Sequence, residues 1–346
     1  MNGKQWMIYG ANGFSGALIA REAVRQNLKP ILAGRNRAAI ANLAQELNLE
    51  YRILGLNEPQ KLKGIRLLLN CAGPFKATAK ILAKSCILSG VHYLDISGEL
   101  AAFEELFTLS DAAKAKQIIL LPGVGFFVAA TDGLIALLKE QVPDADSIEL
   151  SLIVEREFRF NTGSIKSILD IFNETYINTK ITPFSPSKKM IINGQEFNTL
   201  SLVLPDLFTG HLSTGISRIR IYGHFREFSW LFNEMPWLLS NLAALMKYFS
   251  IFKTHLYNII DLLPQPEVCI YAANSGVLLQ GEASNQEGRV FQRNVKLDNP
   301  YLFTQKSALL CIKKILNREN IVASGFQTPS LIFRENLLLE ILRDMQ

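Results

Sequence analysis

The sequence predicts an α/β fold: a doubly wound parallel sheet at the N-terminus, then a second α+β domain built on a mainly antiparallel sheet. Three observations carry that prediction. Apolar strand-like runs alternate with amphipathic helical runs as far as residue 125. Gly10, Gly13 and Gly16 fall between the first strand and the first helix. Beyond residue 147 most strand-like runs follow one another in the manner of antiparallel neighbours.

The elements are justified in order. KQWMIYG (4–10) is a short apolar strand, and SGALIAREAVRQN (15–27) spaces its apolar residues as a helix does. KPILAGR (29–35) gives a second strand and RAAIANLAQELN (37–48) a second helix. YRILGL (51–56) is the third strand. IRLLLNCAG (65–73) is the fourth, nearly all apolar as a strand buried on both faces should be. AKILAKSCILSG (79–90), HYLDIS (92–97), AAFEELFTLSDAAKAKQ (101–117) and IILLPGVG (118–125) complete the alternation as helix, strand, helix and strand.

In the second half, SIELSLIVER (147–156) alternates as a strand, and NTGSIKSILDIFNETY (161–176) reads as a helix beginning near Thr162 to Ser164. LSTGISRIRIYGHF (212–225), EVCIYAAN (267–274), GVLLQGEASN (276–285) and VFQRNVKL (290–297) read as antiparallel strands. NPYLFTQKSALLCIKKILN (299–317) is a helix capped by Asp298 or Asn299, with Pro300 in its first turn.

The spacing G-x-x-G-x-x-G gains meaning from its place between a strand and a helix. Gly10 lets the chain turn sharply, Gly13 lets the backbone approach a pyrophosphate, and Gly16 permits close helix–sheet packing. The amides that open the helix then face the phosphates, aided by the helix dipole. A site for NAD places an acid at the end of the second strand. Here that strand ends AGRNR, with Arg35 in the acid's place and Arg37 nearby. A guanidinium there suits the 2′-phosphate of NADP.

NCAGPF (70–75) ends the fourth strand, where open α/β sheets bind ligands, and YLDISGE brings Asp95, Ser97 and Glu99 to the same edge. On sequence alone, Asp95 reads equally as a helix cap and Glu99 as a first-turn acid. The candidate cofactor-binding residues are Gly10, Asn12, Gly13, Phe14, Ser15, Gly16, Arg35, Asn36, Cys71, Gly73 and Pro74. The sequence assigns no catalytic residue and no metal site.

Composition narrows the function classes. The chain has 346 residues, 49% of them hydrophobic and 19% charged, enough for two domains and a sizeable core. A net charge of +5 with scattered Lys and Arg leaves no nucleic-acid footprint. Cys71, Cys86, Cys269 and Cys311 lie far apart, which argues against zinc or a disulfide framework and fits a reducing, cytoplasmic compartment. The first strand begins too early for a signal peptide. No apolar run approaches the ~18 residues that a membrane-spanning helix needs.

The chain resembles the saccharopine dehydrogenase-like oxidoreductases, and among them the branch that includes trans-acting enoyl reductases. The resemblance rests on YGANGFSG, LAGRN, LLNCAGPF, HYLDISGE, PGVGF…TDG and GFQTPSLIF, in family order along almost the whole chain. It implies an NADP-binding Rossmann domain followed by a mixed α/β domain on an antiparallel sheet. Two departures stand out. The usual GFDVVPTD is GFFVAATD here, so Phe127 replaces an acid and Ala130 a proline, and Arg334 replaces a glycine after GFQTP…F.

These readings place an NADP-binding domain at 1–122. A substrate domain follows at 123–346, with an apolar helical segment at 228–264 and a C-terminal segment packing back on the first domain. Tyr176 and Lys180, with Ser164 upstream, form the Y-x-x-x-K pattern of short-chain dehydrogenases, but Ser164 opens a polar-flanked helix rather than ending a buried strand. Residues 228–264 carry aromatics, Leu and Met with few charges, broken at Pro236. A buried helical pair, a lid over an acyl substrate and an amphipathic patch on a membrane all satisfy that pattern.

The expected activity is NADP-dependent hydride transfer to a carbon–carbon double bond of a lipid-like enoyl substrate. A carbon–nitrogen bond of an amino acid substrate, or a non-catalytic nucleotide-binding module at a lipid surface, is the alternative. The expected partners are a small acyl molecule, a membrane surface met through 228–264, and a second copy of the chain as a homodimer.

Overall fold

Four consecutive buried residues, Trp6 to Tyr9, form most of β1 (Gln5–Tyr9), the strand around which the first unit is assembled. The computed structural model describes residues 5–154, 162–171, 186–192, 194–225, 250–262, 276–297, 299–317 and 323–344. From β1 the chain alternates as the sequence predicts: α1 (Phe14–Arg25), β2 (Ile31–Gly34), α2 (Arg37–Leu47) and β3 (Tyr51–Ile53). A 3₁₀ turn at Pro59–Leu62 leads into β4 (Ile65–Asn70), α3 (Phe75–Ser89) and β5 (His92–Asp95).

The helix expected over 101–117 is instead two, α4 (Leu100–Phe107) and α5 (Ser110–Ala115). The Thr108 hydroxyl donates to the Glu105 carbonyl at 2.6 Å, ending the first helix by local competition for the backbone. The chain continues through β6 (Ile119–Leu121) and α6 (Phe126–Gln141).

The next unit contains β7 (Ser147–Val154), α7 (Thr162–Ile171), β8 (Pro186–Ile192) and β9 (Gln195–Ser201). It continues with α8 (Asp206–Thr214), β10 (Arg218–Phe225), α9 (Ser250–Asp261), β11 (Val277–Ser284) and β12 (Val290–Leu297). The run expected as a strand over 212–225 begins as the end of α8. Gly215, at φ +75°, stops that helix before β10 can start. Strands β8 and β9 are additions to the expected set.

The chain then forms α10 (Pro300–Asn317), β13 (Gly325–Phe326), α11 (Pro329–Phe333) and α12 (Asn336–Arg343). Of the segment 228–264, the described part is the helix α9 and Leu262. EVCIYAAN, Tyr176, Lys180, Trp230 and Trp237 lie outside the described residues.

The chain divides into two compact units, Met1–Ala136 with Pro300–Gln346, and Leu137–Asn299. In the first, seven strands pair in the order β13-β6-β5-β4-β1-β2-β3, every pair parallel. In the second, six strands pair in the order β12-β11-β7-β10-β9-β8. Strands β7 and β10 pair in parallel, and the remaining pairs are antiparallel, so the sheet is mainly antiparallel as expected.

The C-terminal stretch is tied into the first unit by polar contacts between residues far apart in sequence. Ser330 N donates to the buried Asp132 carboxylate at 2.8 Å, and Phe326 N donates to Ser110 Oγ at 3.0 Å. The TDG and GFQTPSLIF stretches therefore meet, with Asp132 supplying an acceptor to the first turn of α11. Arg334, which ends α11, has φ +54° and ψ −144°, a conformation that favours glycine. Relieving that strain in Arg334→Gly should raise unfolding stability by about 1 kcal/mol, the added chain entropy offsetting part of the gain. Chemical denaturation checks this, and an unchanged or lowered midpoint would show that the arginine side chain compensates for its backbone.

Candidate functional site

Strands β1 and β4 are neighbours, yet the chain leaves β1 toward β2 and leaves β4 toward β5, so the strand order reverses between them. Open parallel sheets bind ligands at the carboxyl ends of the strands at such a reversal. The turns at this edge are packed tightly. Gly10 has φ +76°, and a Cβ placed on it would lie 2.9 Å from the nitrogen and Cβ of Ala72, in the turn leaving β4. A Cβ on Gly16 would overlap the Gly10 carbonyl oxygen. Gly10 N and Ala11 N both donate to Ala33 O of β2, at 2.8 and 3.2 Å.

Gly13 is the N-cap of α1, so no side chain caps this helix, and its first turn holds no acid. The amides of Phe14, Ser15 and Gly16 thus open toward the strand reversal with the positive end of the helix dipole behind them. Gly13 itself is exposed. A bare, acid-free helix start behind an exposed glycine fits a dinucleotide pyrophosphate.

Arg35 follows β2 and is exposed, with no ion pair among the described residues. The Asn36 side chain is engaged locally, its Oδ1 accepting from Ala39 N at 3.1 Å to cap α2. Asn12 is exposed on the glycine turn, and its Oδ1 would lie 3.2 Å from a Cβ at Gly34. The Phe14 ring meets Tyr301 of α10 edge-on at 4.9 Å between centroids, so Phe14 docks the start of α1 onto the C-terminal helix.

The turn leaving β4 is fixed from behind by buried polar groups. Asn70 Oδ1 accepts from Ala72 N at 2.9 Å, while its Nδ2 donates to Thr78 Oγ1 at 3.2 Å and to Tyr93 OH at 3.1 Å. Thr78 Oγ1 donates to Ala72 O at 2.7 Å. Tyr93 OH donates to Asp95 Oδ2 at 2.8 Å, and Asp95 Oδ1 accepts from Ser97 N and Gly123 N at 2.9 and 3.0 Å. One carboxylate thereby joins the exits of β5 and β6, and the tyrosine carries the link to β4.

Glu99 is buried, and its two oxygens accept from Phe75 N at 3.1 Å and Lys76 N at 2.8 Å, capping α3. It acts on a neighbouring helix rather than in the first turn of its own. Burial pushes Asp95 up to about 6, against the pull of its three hydrogen bonds, and nearby Glu99 adds to the rise. Burial likewise raises the Cys71 thiol, with Asp95 adding to the effect, so Cys71 is a thiol at neutral pH.

The structure thus gathers the nucleotide-binding candidates onto the turns leaving β1, β2 and β4 and the first turn of α1, with Gly73 and Pro74 exposed beside Cys71. Sequence reasoning named Asn70, Asp95 and Glu99 but missed Tyr93 and Thr78, which link them. The available signal was a tyrosine two residues before an acid on one strand, where both side chains face the same way. Phe127, where the resembled motif has an acid, stacks edge-on against Phe126 at 5.4 Å.

Residues 6–121 match the family described as the saccharopine dehydrogenase NADP binding domain. That match spans about a third of the chain, and the likeness is to that domain. A probable mitochondrial saccharopine dehydrogenase-like oxidoreductase of Arabidopsis thaliana is 29% identical over 197 residues, 48% of this chain and 43% of that protein. A lipid droplet localized protein of Caenorhabditis elegans is 22% identical over 187 residues, 47% of this chain and 43% of that one. This chain therefore aligns with under half the length of either relative. The apo saccharopine dehydrogenase (L-Glu forming) of Saccharomyces cerevisiae superposes with a TM-score of 0.65 at 12% identity, over 99% of this chain and 98% of that one. The likeness is one of fold. Among the described residues no helix is long and apolar enough to cross a membrane.

The buried Asp95 predicts a pH signature in stability. Its folded value, about 6, lies above the ~3.9 of an unfolded aspartate, so the folded state holds the proton more tightly. Its stabilising contribution is complete below about pH 4 and is lost as pH rises through 6. Relative to Asp95→Asn, the wild-type chain should lose on the order of 2–3 kcal/mol across that window. Denaturation midpoints of the two proteins that move in parallel with pH would contradict this.

Proposed function

We propose that this chain is an NADP-dependent oxidoreductase that transfers hydride to a carbon–carbon double bond of a lipid-like, enoyl-type substrate. The observation that carries the cofactor choice is the exit of β2. Arg35 is exposed and makes no ion pair among the described residues, where an NAD site would hold an acid. In this reading Arg35 grips the 2′-phosphate and the first-turn amides of α1 receive the pyrophosphate. The turn 71–74 borders the nicotinamide half. The dinucleotide, when bound, supplies the hydride; the chain supplies its orientation and the exclusion of water.

The lipid-like substrate rests on different support. Residues 228–264 are rich in aromatics and leucine, and the described part ends in two exposed apolar side chains, Ile259 and Leu262. The sequence resemblance to the enoyl reductase branch points the same way, as does a relative named for lipid droplets. These features suit an acyl chain better than an amino acid, which would call for converging Arg and acidic residues.

Arg35→Ala should weaken NADPH binding tenfold or more, the worth of a charge-assisted contact of about 1.5–3 kcal/mol, while leaving NADH nearly unaffected. Titration calorimetry with both cofactors checks this, and equal losses would remove Arg35 from the phosphate site. Gly13→Val should abolish binding of both cofactors in a folded protein, because a branched side chain would stand where the pyrophosphate lies.

NADPH consumption over a panel of α,β-unsaturated acyl compounds and imines tests the reaction. Turnover confined to imines would replace the enoyl reading. Stoichiometric NADPH binding with no turnover on any member would favour a nucleotide-binding module instead.

A further inference from the structure

A row of side chains crosses the carboxyl edge of the parallel sheet at one register. Tyr9 pairs with Asn70, and Asn70 pairs with Asp95, so the three lie side by side on one face. Tyr93, two residues before Asp95, shares that face. All four are buried. The hydrogen bonds among Asn70, Tyr93 and Asp95 have a fixed direction. An Asn70 amide hydrogen can only be donated, so Tyr93 OH receives it and must pass its own hydrogen to Asp95 Oδ2. Asp95 Oδ1 already faces two backbone N–H groups.

Burial favours a proton on Asp95 overall, but the hydrogen bonds around the carboxylate offer it no good position. On Oδ2 it confronts the tyrosine hydrogen, and on Oδ1 it confronts two amides. The ionised carboxylate satisfies every donor, while the protonated one forces Tyr93 to turn its hydrogen elsewhere and slackens the link to Asn70 and Ala72.

We propose that the Asn70–Tyr93–Asp95 chain is a positioning device for the nicotinamide half of the bound dinucleotide. Ionisation of Asp95 holds the turn 71–74 and the exit of β6 in register, and the adenylate half is indifferent to it. The inference rests on the NADP reading given above. The second half of a doubly wound sheet, here the turns leaving β4, β5 and β6, receives the nicotinamide mononucleotide, whereas Arg35 and the glycine turn belong to the first. The titratable groups facing this chain are Cys71 at the end of β4, Cys86 of α3 near Tyr93, Glu99 beyond β5, and Tyr93 itself. Burial keeps both thiols and the phenol protonated across neutral pH; of the two carboxylates, Glu99 is held by the amides of Phe75 and Lys76, and Asp95, raised to about 6, is the one bonded into this chain of side chains.

The test uses NADPH and 2′,5′-ADP with the full chain, and needs no substrate. The nicotinamide emission of the saturated NADPH complex is followed from pH 5 to 8 in wild type, Asp95→Asn and Tyr93→Phe. The affinity of 2′,5′-ADP is measured alongside. The 2′-phosphate titrates in the same window but is common to all three proteins, so the differences between them carry the answer.

The wild-type emission should change with a midpoint near 6. The midpoint should vanish in Asp95→Asn. It should move upward in Tyr93→Phe, which loses a hydrogen bond that favours the carboxylate. Affinity for 2′,5′-ADP should agree within twofold among the three at each pH. If Asp95→Asn does not fold, the upward shift in Tyr93→Phe decides alone. Emission curves that coincide in every folded protein, with 2′,5′-ADP bound normally, would overturn the positioning role and leave the NADP reading intact. Failure of the wild-type chain to bind either NADPH or 2′,5′-ADP would overturn both.

Discussion

The carboxyl edge of the parallel sheet is organised by how closely two turns can approach. Gly10 leaves β1 with its Cα against Ala72, which leaves β4, and neither turn could sit where it does if Gly10 carried a side chain. From that contact the rest follows. Gly16 can bring α1 down onto the Gly10 carbonyl, the uncapped start of α1 is aimed at the strand reversal, and Ala33 of β2 accepts from both Gly10 and Ala11. On the other side, Asn70 and Thr78 hold Ala72 by its nitrogen and its oxygen, so the surface that Gly10 presses against is itself rigid.

The edge is rigid for a second reason, which is electrostatic rather than steric. Two buried carboxylates serve as acceptors for backbone amides from other segments: Asp95 for the exit of β6, and Glu99 for the start of α3. A buried acid is costly unless it is well hydrogen-bonded. Each here binds at least two N–H groups, which ties loop geometry to the charge state of the interior.

The parallel sheet was legible in the sequence because two independent signals agreed there. Apolar periodicity gave the strands and helices, and the glycine spacing marked the strand-to-helix turn that carries the candidate residues. The candidate residues fell on three adjacent turns for the same reason. The break between α4 and α5 was hidden because Thr108 and Leu109 keep the helical pattern of polarity while the Thr108 hydroxyl ends the hydrogen-bond ladder. The pairing of β7 with β10 was hidden too, since alternation within a strand says nothing of its neighbour's direction. Phe14 read as a loop residue near the phosphate; its contact with Tyr301 joins positions far apart in the chain, and no local pattern encodes that.

The two-residue strand β13 completes the edge of the parallel sheet beside β6, and it does so from near the far end of the chain. The first unit is thus written in two instalments, with the whole of the second unit between them. As the polypeptide emerges from the ribosome, β6 is made early and its outer edge stays unpaired until more than half of the chain has followed. An unpaired strand edge is a template for unwanted pairing. This protein's exposure to misassembly is therefore set by the order in which its parts are made, and a short strand with two polar anchors, Ser110 for Phe326 and Asp132 for Ser330, brings that interval to an end.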